Sequence, residues 1–184
     1  MKRIFTIERN DVLLLCIDIQ GKLARIVSYS EQCIQTSYKL IEGMNILNIP
    51  VIRTEQVPEK LGPTIAEIDE LFSNNRAISK ESFSCYLNQD FVRKLDNSNR
   101  RTIVVCGIEA HICVFQTVRD LLDNGYRAIV IKDAIASRTN ENKEIAIDLM
   151  RDMGASIMSL EMILFDLLKG ANGDEFKRIS KLVK

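Results

Sequence analysis

The apolar residues of this chain return as short unbroken runs, and that feature more than any other limits what it can fold into. Val12–Ile17 (VLLLCI) and Thr102–Gly107 (TIVVCG) show no alternation of apolar and polar positions. A strand with one face in water alternates, whereas a strand covered on both faces does not. Strands of the second kind belong to a parallel sheet lying between two layers of helices.

Between these runs the apolar spacing becomes helical. Ile34, Tyr38, Ile41 and Leu47 fall near a 3.6 period before Pro50, and Ile112, Val114, Phe115, Val118, Leu121 and Leu122 form a second stripe closed by Asn124 and Gly125. Further strands are predicted at Val51–Thr54, Ala77–Ser79, Tyr126–Ile131 and Ser156–Ser159, with helices around Leu87–Leu95, Glu141–Met153 and Met162–Lys169. Residues 55–75 hold two of the three prolines and read as a long excursion with a short helix near Pro63.

Strand–helix alternation of this kind predicts an α/β fold: a doubly wound, six-stranded, mainly parallel sheet with helices on both faces, Rossmann-like in its winding. Residues 1–184 are expected to form a single domain, with the amphipathic tail at about 170–184 packing on the surface or on a neighbouring subunit. Such sheets bind ligands outside the carboxyl ends of their strands, where the winding reverses.

Lysine plus arginine equals aspartate plus glutamate at 25 each, so no overall field draws the chain to nucleic acid or to an anionic membrane. A small molecule is the expected partner. The apolar run near the N-terminus is short and ends in an aspartate, unlike a signal h-region or a membrane span. Five cysteines without a C-x-x-C pair fit neither a disulfide framework nor a zinc site. A reducing, cytoplasmic location is expected.

Three chemistry-bearing residues come to the carboxyl edge of the predicted sheet. Asp18 ends the first strand, Lys80 ends the third, and Cys113 follows the fourth near the start of a helix. An acid, an amine and a thiol converging there form a candidate nucleophile constellation. Taken singly, Asp18 also fits a turn cap and Lys80 a solvated loop lysine. Cys16 and Cys106 lie inside strands and read as packing, and nothing assigns chemistry to Cys33 or Cys85. At Cys113 the helix terminus and a nearby ammonium would favour the thiolate, while a carboxylate would oppose it.

The strings VLLLCIDIQ, TEQVPEKLGPT, KESFS, VVCGIEAHICVFQT and IKDAIASRTNENK together resemble the isochorismatase-like cysteine hydrolases, in particular the isochorismatase domain-containing proteins. The likeness runs from about residue 10 into the C-terminal tail. It implies a catalytic triad of Asp18, Lys80 and Cys113 and a covalent acyl-enzyme formed from a small amide, carbamoyl or related C–N compound. It also implies a cis peptide between Ile108 and Glu109, with the backbone amides of Glu109 and Cys113 forming an oxyanion hole. Gln20, Phe83 and His111 are expected in the pocket wall, and Arg138 is expected to brace loops or a neighbouring subunit.

Metal-dependent nicotinamidases of this family use histidines that have no match here, since His111 is the only histidine in the chain. No catalytic metal and no cofactor are expected. Many relatives continue D-x-Q-N-D-F where this chain continues DIQGKL, so contacts made by that turn elsewhere do not carry over. The isochorismate-cleaving branch, which lacks a cysteine nucleophile, is disfavoured by Cys113. Family habit favours a homo-oligomer, dimer or tetramer. The rival expectation is a non-catalytic oligomeric interaction protein that keeps the fold. A nucleotide switch lacks its glycine-rich loop after the first strand.

Overall fold

The computed structural model describes residues 6–72 and 76–184. In chain order the elements are β1 (Val12–Ile17), α1 (Leu23–Ile26), α2 (Ser30–Ile46), β2 (Val51–Gln56), α3 (Pro58–Leu61), α4 (Ala66–Asp69), β3 (Ile78–Lys80), α5 (Gln89–Asn97) and β4 (Thr102–Ile108). A π-helical turn (Ala110–Val114) then leads into α6 (Phe115–Asp123), β5 (Arg127–Ala136), α7 (Asn140–Asp152), β6 (Ser156–Met158), α8 (Leu160–Leu168) and α9 (Gly173–Val183).

The strands form one six-stranded sheet in the order β3-β2-β1-β4-β5-β6, and every pair is parallel. The winding reverses between β1 and β4, which puts the switch-point crevice beyond the ends of those two strands.

The unbroken apolar run of β1 is explained by its two covered faces. Val12, Leu14 and Cys16 pack with Leu40, Ile41 and Met44 of α2, Ile163 and Leu164 of α8, and Ile179 of α9. Leu13, Leu15 and Ile17 pack on the other face with Phe91 of α5, Val118 and Leu121 of α6, and Ile147 and Met150 of α7. Each such leucine or isoleucine contributes about 1.5–3 kcal/mol by leaving water. Helix starts are set locally: the side chains of Asn88, Thr139 and Ser159 accept from backbone amides at the N-termini of α5, α7 and α8.

The elements differ from the sequence expectation where tertiary pairing extends them. β2 runs two residues beyond Thr54, because Glu55 and Gln56 pair with Ser79 and Lys80. β5 continues to Ala136 through a register shift that sets Gly107 against Ile135. The excursion after β2 contains two short helices, α3 and α4, and residues 73–75 of it lie outside the described residues. The amphipathic tail is α9, which packs on α2 through Ile179.

Two backbone features shape the site edge. Gly107 has φ +127, and a Cβ there would meet the Ile17 carbonyl oxygen at 2.0 Å. Only glycine lets β4 pass so close to β1 at its exit. Asp18 adopts φ 51, a left-handed conformation that turns the chain sharply at the end of β1.

Candidate active site

Asp18, the first residue after β1, and Lys80, the last of β3, meet across the end of β2. Lys80 Nζ donates to Asp18 Oδ2 at 2.6 Å, and both side chains are fully buried. The ammonium has three further acceptors: Gln56 Oε1 at 2.7 Å, Phe83 O at 3.1 Å and Ser82 O at 3.2 Å. Thr54 Oγ1 donates to the other carboxylate oxygen, Asp18 Oδ1, at 2.7 Å. Both oxygens of Asp18 are therefore held, one by charge and one by a neutral hydroxyl.

Cys113 comes from the opposite side of the switch point, on the π turn after β4. Its Sγ lies 4.0 Å from Gln56 Oε1, the oxygen that also accepts from Lys80. The turn closes on Glu109, whose carbonyl accepts from Ile112 N and Val114 N. Residues 109 and 113 thus belong to one turn. The Ile108–Glu109 peptide is cis.

Thr54, Gln56 and Cys85 were not singled out from sequence. Thr54 and Gln56 are two apart on β2 and so share a face, which is the signal that could have found them. The Gln56 amide is oriented by Nε2 donating to Glu81 O at 2.7 Å. Its backbone is matched by Gln20, which accepts from Gln56 N at 2.6 Å and donates to Gln56 O at 2.9 Å and to Gly62 O at 2.8 Å. Gln20 is buried, and these three bonds occupy its amide. Its part in the site is to hold Gln56.

Phe83 stands at the rim, 52% exposed, with its carbonyl on Lys80. His111 is half-buried and its Nδ1 meets Ser137 Oγ at 3.0 Å. Glu109 is buried, and its Oε2 accepts from Arg138 N at 3.0 Å and Arg138 Nε at 3.1 Å. Ser137 and Arg138 follow β5, so they join the exit of β5 to the exit of β4. Cys85 Sγ lies 3.7 Å from Thr54 Oγ1, behind the carboxylate.

The electrostatics set the carboxylate against the ammonium at Cys113. Burial, then the negative charge of Asp18 and a hydrogen bond to it, push the Cys113 thiol well above its ordinary range, and Lys80 pulls it down by less. The residue is 6% exposed. The Lys80 protons are directed at Asp18 Oδ2, Gln56 Oε1, Phe83 O and Ser82 O rather than at the Cys113 sulfur. Burial pulls the Lys80 amine down, but Asp18, through its charge and its hydrogen bond, leads the contributions that raise the amine overall. Burial raises Cys85 to about 11.

Comparison with known proteins gives concordant results. The Isochorismatase domain family model matches residues 12–162. A secreted isochorismatase effector of Phytophthora sojae is 35% identical over 183 residues, spanning 97% of this chain and 86% of that protein. Isochorismatase domain-containing protein 2 of Homo sapiens is 34% identical, spanning 95% of this chain and 83% of its own. Among solved structures, a MAR1 ribonuclease from Caenorhabditis elegans superposes with TM-score 0.91 at 33% identity, covering 97% of this chain and 92% of that one. The octameric hydrolase YcaC of Escherichia coli superposes with TM-score 0.92 at 20% identity over 99% and 92% of the two chains, a likeness of fold alone. Among the described residues, no helix is long and apolar enough to cross a membrane.

Proposed function

The chain belongs to the isochorismatase family, and from that premise we propose that it is a cysteine hydrolase of small amides, carbamoyl compounds or related C–N substrates. The observation that supports this reading best is the buried Asp18–Lys80 pair with the Cys113 thiol beside it.

In the proposed reaction the Cys113 proton passes to Asp18 as the sulfur adds to the substrate carbonyl carbon. Lys80 keeps its charge throughout and holds Asp18 in place. The developing oxyanion is received by the backbone N–H groups of Glu109 and Cys113. Collapse breaks the C–N bond, and Asp18 returns the proton to the departing nitrogen, leaving a thioester. Water then adds to the thioester, Asp18 takes its proton, and the acid leaves as Cys113 regains a proton.

The raised thiol is compatible with this sequence, because proton transfer to a positioned carboxylate needs no resting thiolate. The reaction requires free thiols, and the five cysteines are unpaired. A cytoplasmic location belongs to the same proposal.

Homo-oligomeric assembly is also proposed, with the exposed Ile145 and Leu149, one turn apart on α7, as apolar surface available to a second copy. Sedimentation at several concentrations tests it. A ribonuclease reading, suggested by the Caenorhabditis elegans relative, has little support in a chain with equal numbers of acidic and basic residues.

The test is a panel of small amides and carbamates, with an RNA oligonucleotide as a separate arm, assayed with wild type and Cys113→Ala. Turnover of an amide by wild type alone, with an acyl adduct on Cys113 by mass spectrometry, is expected. Equal turnover by both proteins overturns the proposal.

A further inference from the structure

The mechanism above uses one thiol, yet a second is packed into the same cluster. Cys85 opens the short turn Cys85–Leu87 between β3 and α5, is buried, and has no part in the proposed hydrolysis. Its backbone N–H donates to Thr117 Oγ1 at 2.9 Å. Thr117 lies on α6 one helical turn after Cys113, and side chains so spaced stand about 5–6 Å apart on one face.

The two sulfurs also rest against one strand. Cys85 Sγ lies 3.7 Å from Thr54 Oγ1, and Cys113 Sγ lies 4.0 Å from Gln56 Oε1. Thr54 and Gln56 share a face of β2, about 6–7 Å apart along it. These ties set the two cysteines apart by the distance a disulfide spans, roughly 4–7 Å between Cα atoms. The thiols flank one ion pair: after burial, the charges of Lys80 and Asp18 act most on Cys85, and those of Asp18 and Lys80 on Cys113. Cys16, Cys33 and Cys106 pack on the other face of the sheet.

We infer that Cys85 is the resolving thiol of a redox switch at Cys113: hydrogen peroxide oxidises Cys113 to a sulfenic acid, and Cys85 closes it as a Cys85–Cys113 disulfide that reversibly stops hydrolysis. The inference rests on the reading of Cys113 as the nucleophile and adds the regulation of that site. In the first step the Cys113 sulfur attacks one peroxide oxygen as its proton passes to Asp18. The O–O bond breaks, sulfur is oxidised, and the other oxygen leaves as water with the proton that Asp18 returns. In the second step the Cys85 sulfur attacks the Cys113 sulfur, the S–O bond breaks, and the hydroxyl leaves as water with the Cys85 proton. One peroxide and two thiols thus become one disulfide and two waters.

The order of events follows from access. Cys113 is 6% exposed and Cys85 is 0% exposed, so a small oxidant meets Cys113 first. A sulfenic acid with no thiol partner goes on to sulfinic acid, which thiols do not reverse, whereas a disulfide is returned to two thiols by a dithiol. Disulfides of a reducing compartment are characteristically transient and redox-sensing.

The experiment treats wild type and Cys85→Ala with hydrogen peroxide, removes the excess with catalase, alkylates under denaturing conditions and maps unreduced peptides by mass spectrometry. Wild type is expected to give the linked Cys85–Cys113 peptides, with Cys16, Cys33 and Cys106 alkylated. Dithiothreitol should abolish the link and restore turnover of an amide found in the panel. In Cys85→Ala, peroxide should carry Cys113 to sulfinic or sulfonic acid, with a loss of turnover that dithiothreitol does not repair.

The wild-type map needs no variant to fold. Sulfinic acid on Cys113 beside a freely alkylated Cys85, or a link that joins Cys113 to any other cysteine, would overturn the inference. Equal amide turnover by Cys113→Ala would instead sink the nucleophile reading, with the linked peptides still reporting on Cys85.

Discussion

Lys80 Nζ lies 2.6 Å from Asp18 Oδ2, and neither side chain reaches solvent. A buried ion pair is weak evidence of stability, because the loss of hydration offsets much of the attraction. This one is completed by a hydroxyl on the free carboxylate oxygen and three carbonyl-type oxygens on the ammonium. Such completeness satisfies the hydrogen bonding of both groups next to a thiol that burial pushes above its ordinary range.

Asp18→Asn is expected to act in opposite directions on two measurements. Turnover should fall by at least about 100-fold, the usual scale for losing a general acid–base. Alkylation of Cys113 by iodoacetamide at pH 7 should become faster, since the carboxylate that helps push the thiol up is gone while the Lys80 cation remains. Slower alkylation would mean that Asp18 does not govern the thiol.

The pH dependence of alkylation in wild type follows from the same shift. A thiol raised above its ordinary range binds its proton through neutral pH, so labelling of Cys113 should keep rising with pH from 6 to 9 without a plateau. A rate already level at pH 7 would show a resting thiolate.

Lys80→Met should destabilise the fold by about 3–5 kcal/mol, since it leaves a buried carboxylate without its counter-charge. Urea denaturation at pH 7 measures this. The cost should shrink in the Asp18→Asn, Lys80→Met double variant, and additive costs would show that the two residues are not coupled.

Gln56→Glu should slow alkylation of Cys113 and raise its pH dependence further, because a negative charge would then stand between the thiol and Lys80. Gln56→Leu, which removes the acceptor without adding charge, should leave the alkylation profile close to wild type. Identical profiles for the two variants would remove Gln56 from the electrostatics of the thiol.

Hydrolysis, once a substrate is in hand, is expected to survive exhaustive chelation. Loss of activity with a chelator and recovery with zinc or iron would show that a metal takes part.

The architecture was open to reading because burial on both faces leaves a mark on every residue of a strand. The runs at Val12–Ile17 and Thr102–Gly107 identified the inner strands and, with the helical stripes between them, the six-stranded sheet. The placement of Asp18, Lys80 and Cys113 was legible for a related reason: Asp18 and Lys80 sit where strands stop and Cys113 on the turn that follows β4, and segments leaving one sheet edge are neighbours whatever their distance along the chain.

What depended on tertiary structure was everything set by a partner from another segment. The last two residues of β2 are strand only because β3 is there to pair with them, and that pairing turns Gln56 toward Lys80 and Cys113. Gln20, expected in the pocket wall, is occupied by the backbone of a residue 36 positions away. For the Cys113 thiol, a helix start, a nearby lysine and an opposing carboxylate are visible in sequence. Desolvation and the direction of that lysine's protons are not, since both are properties of the packed surroundings rather than of any local string.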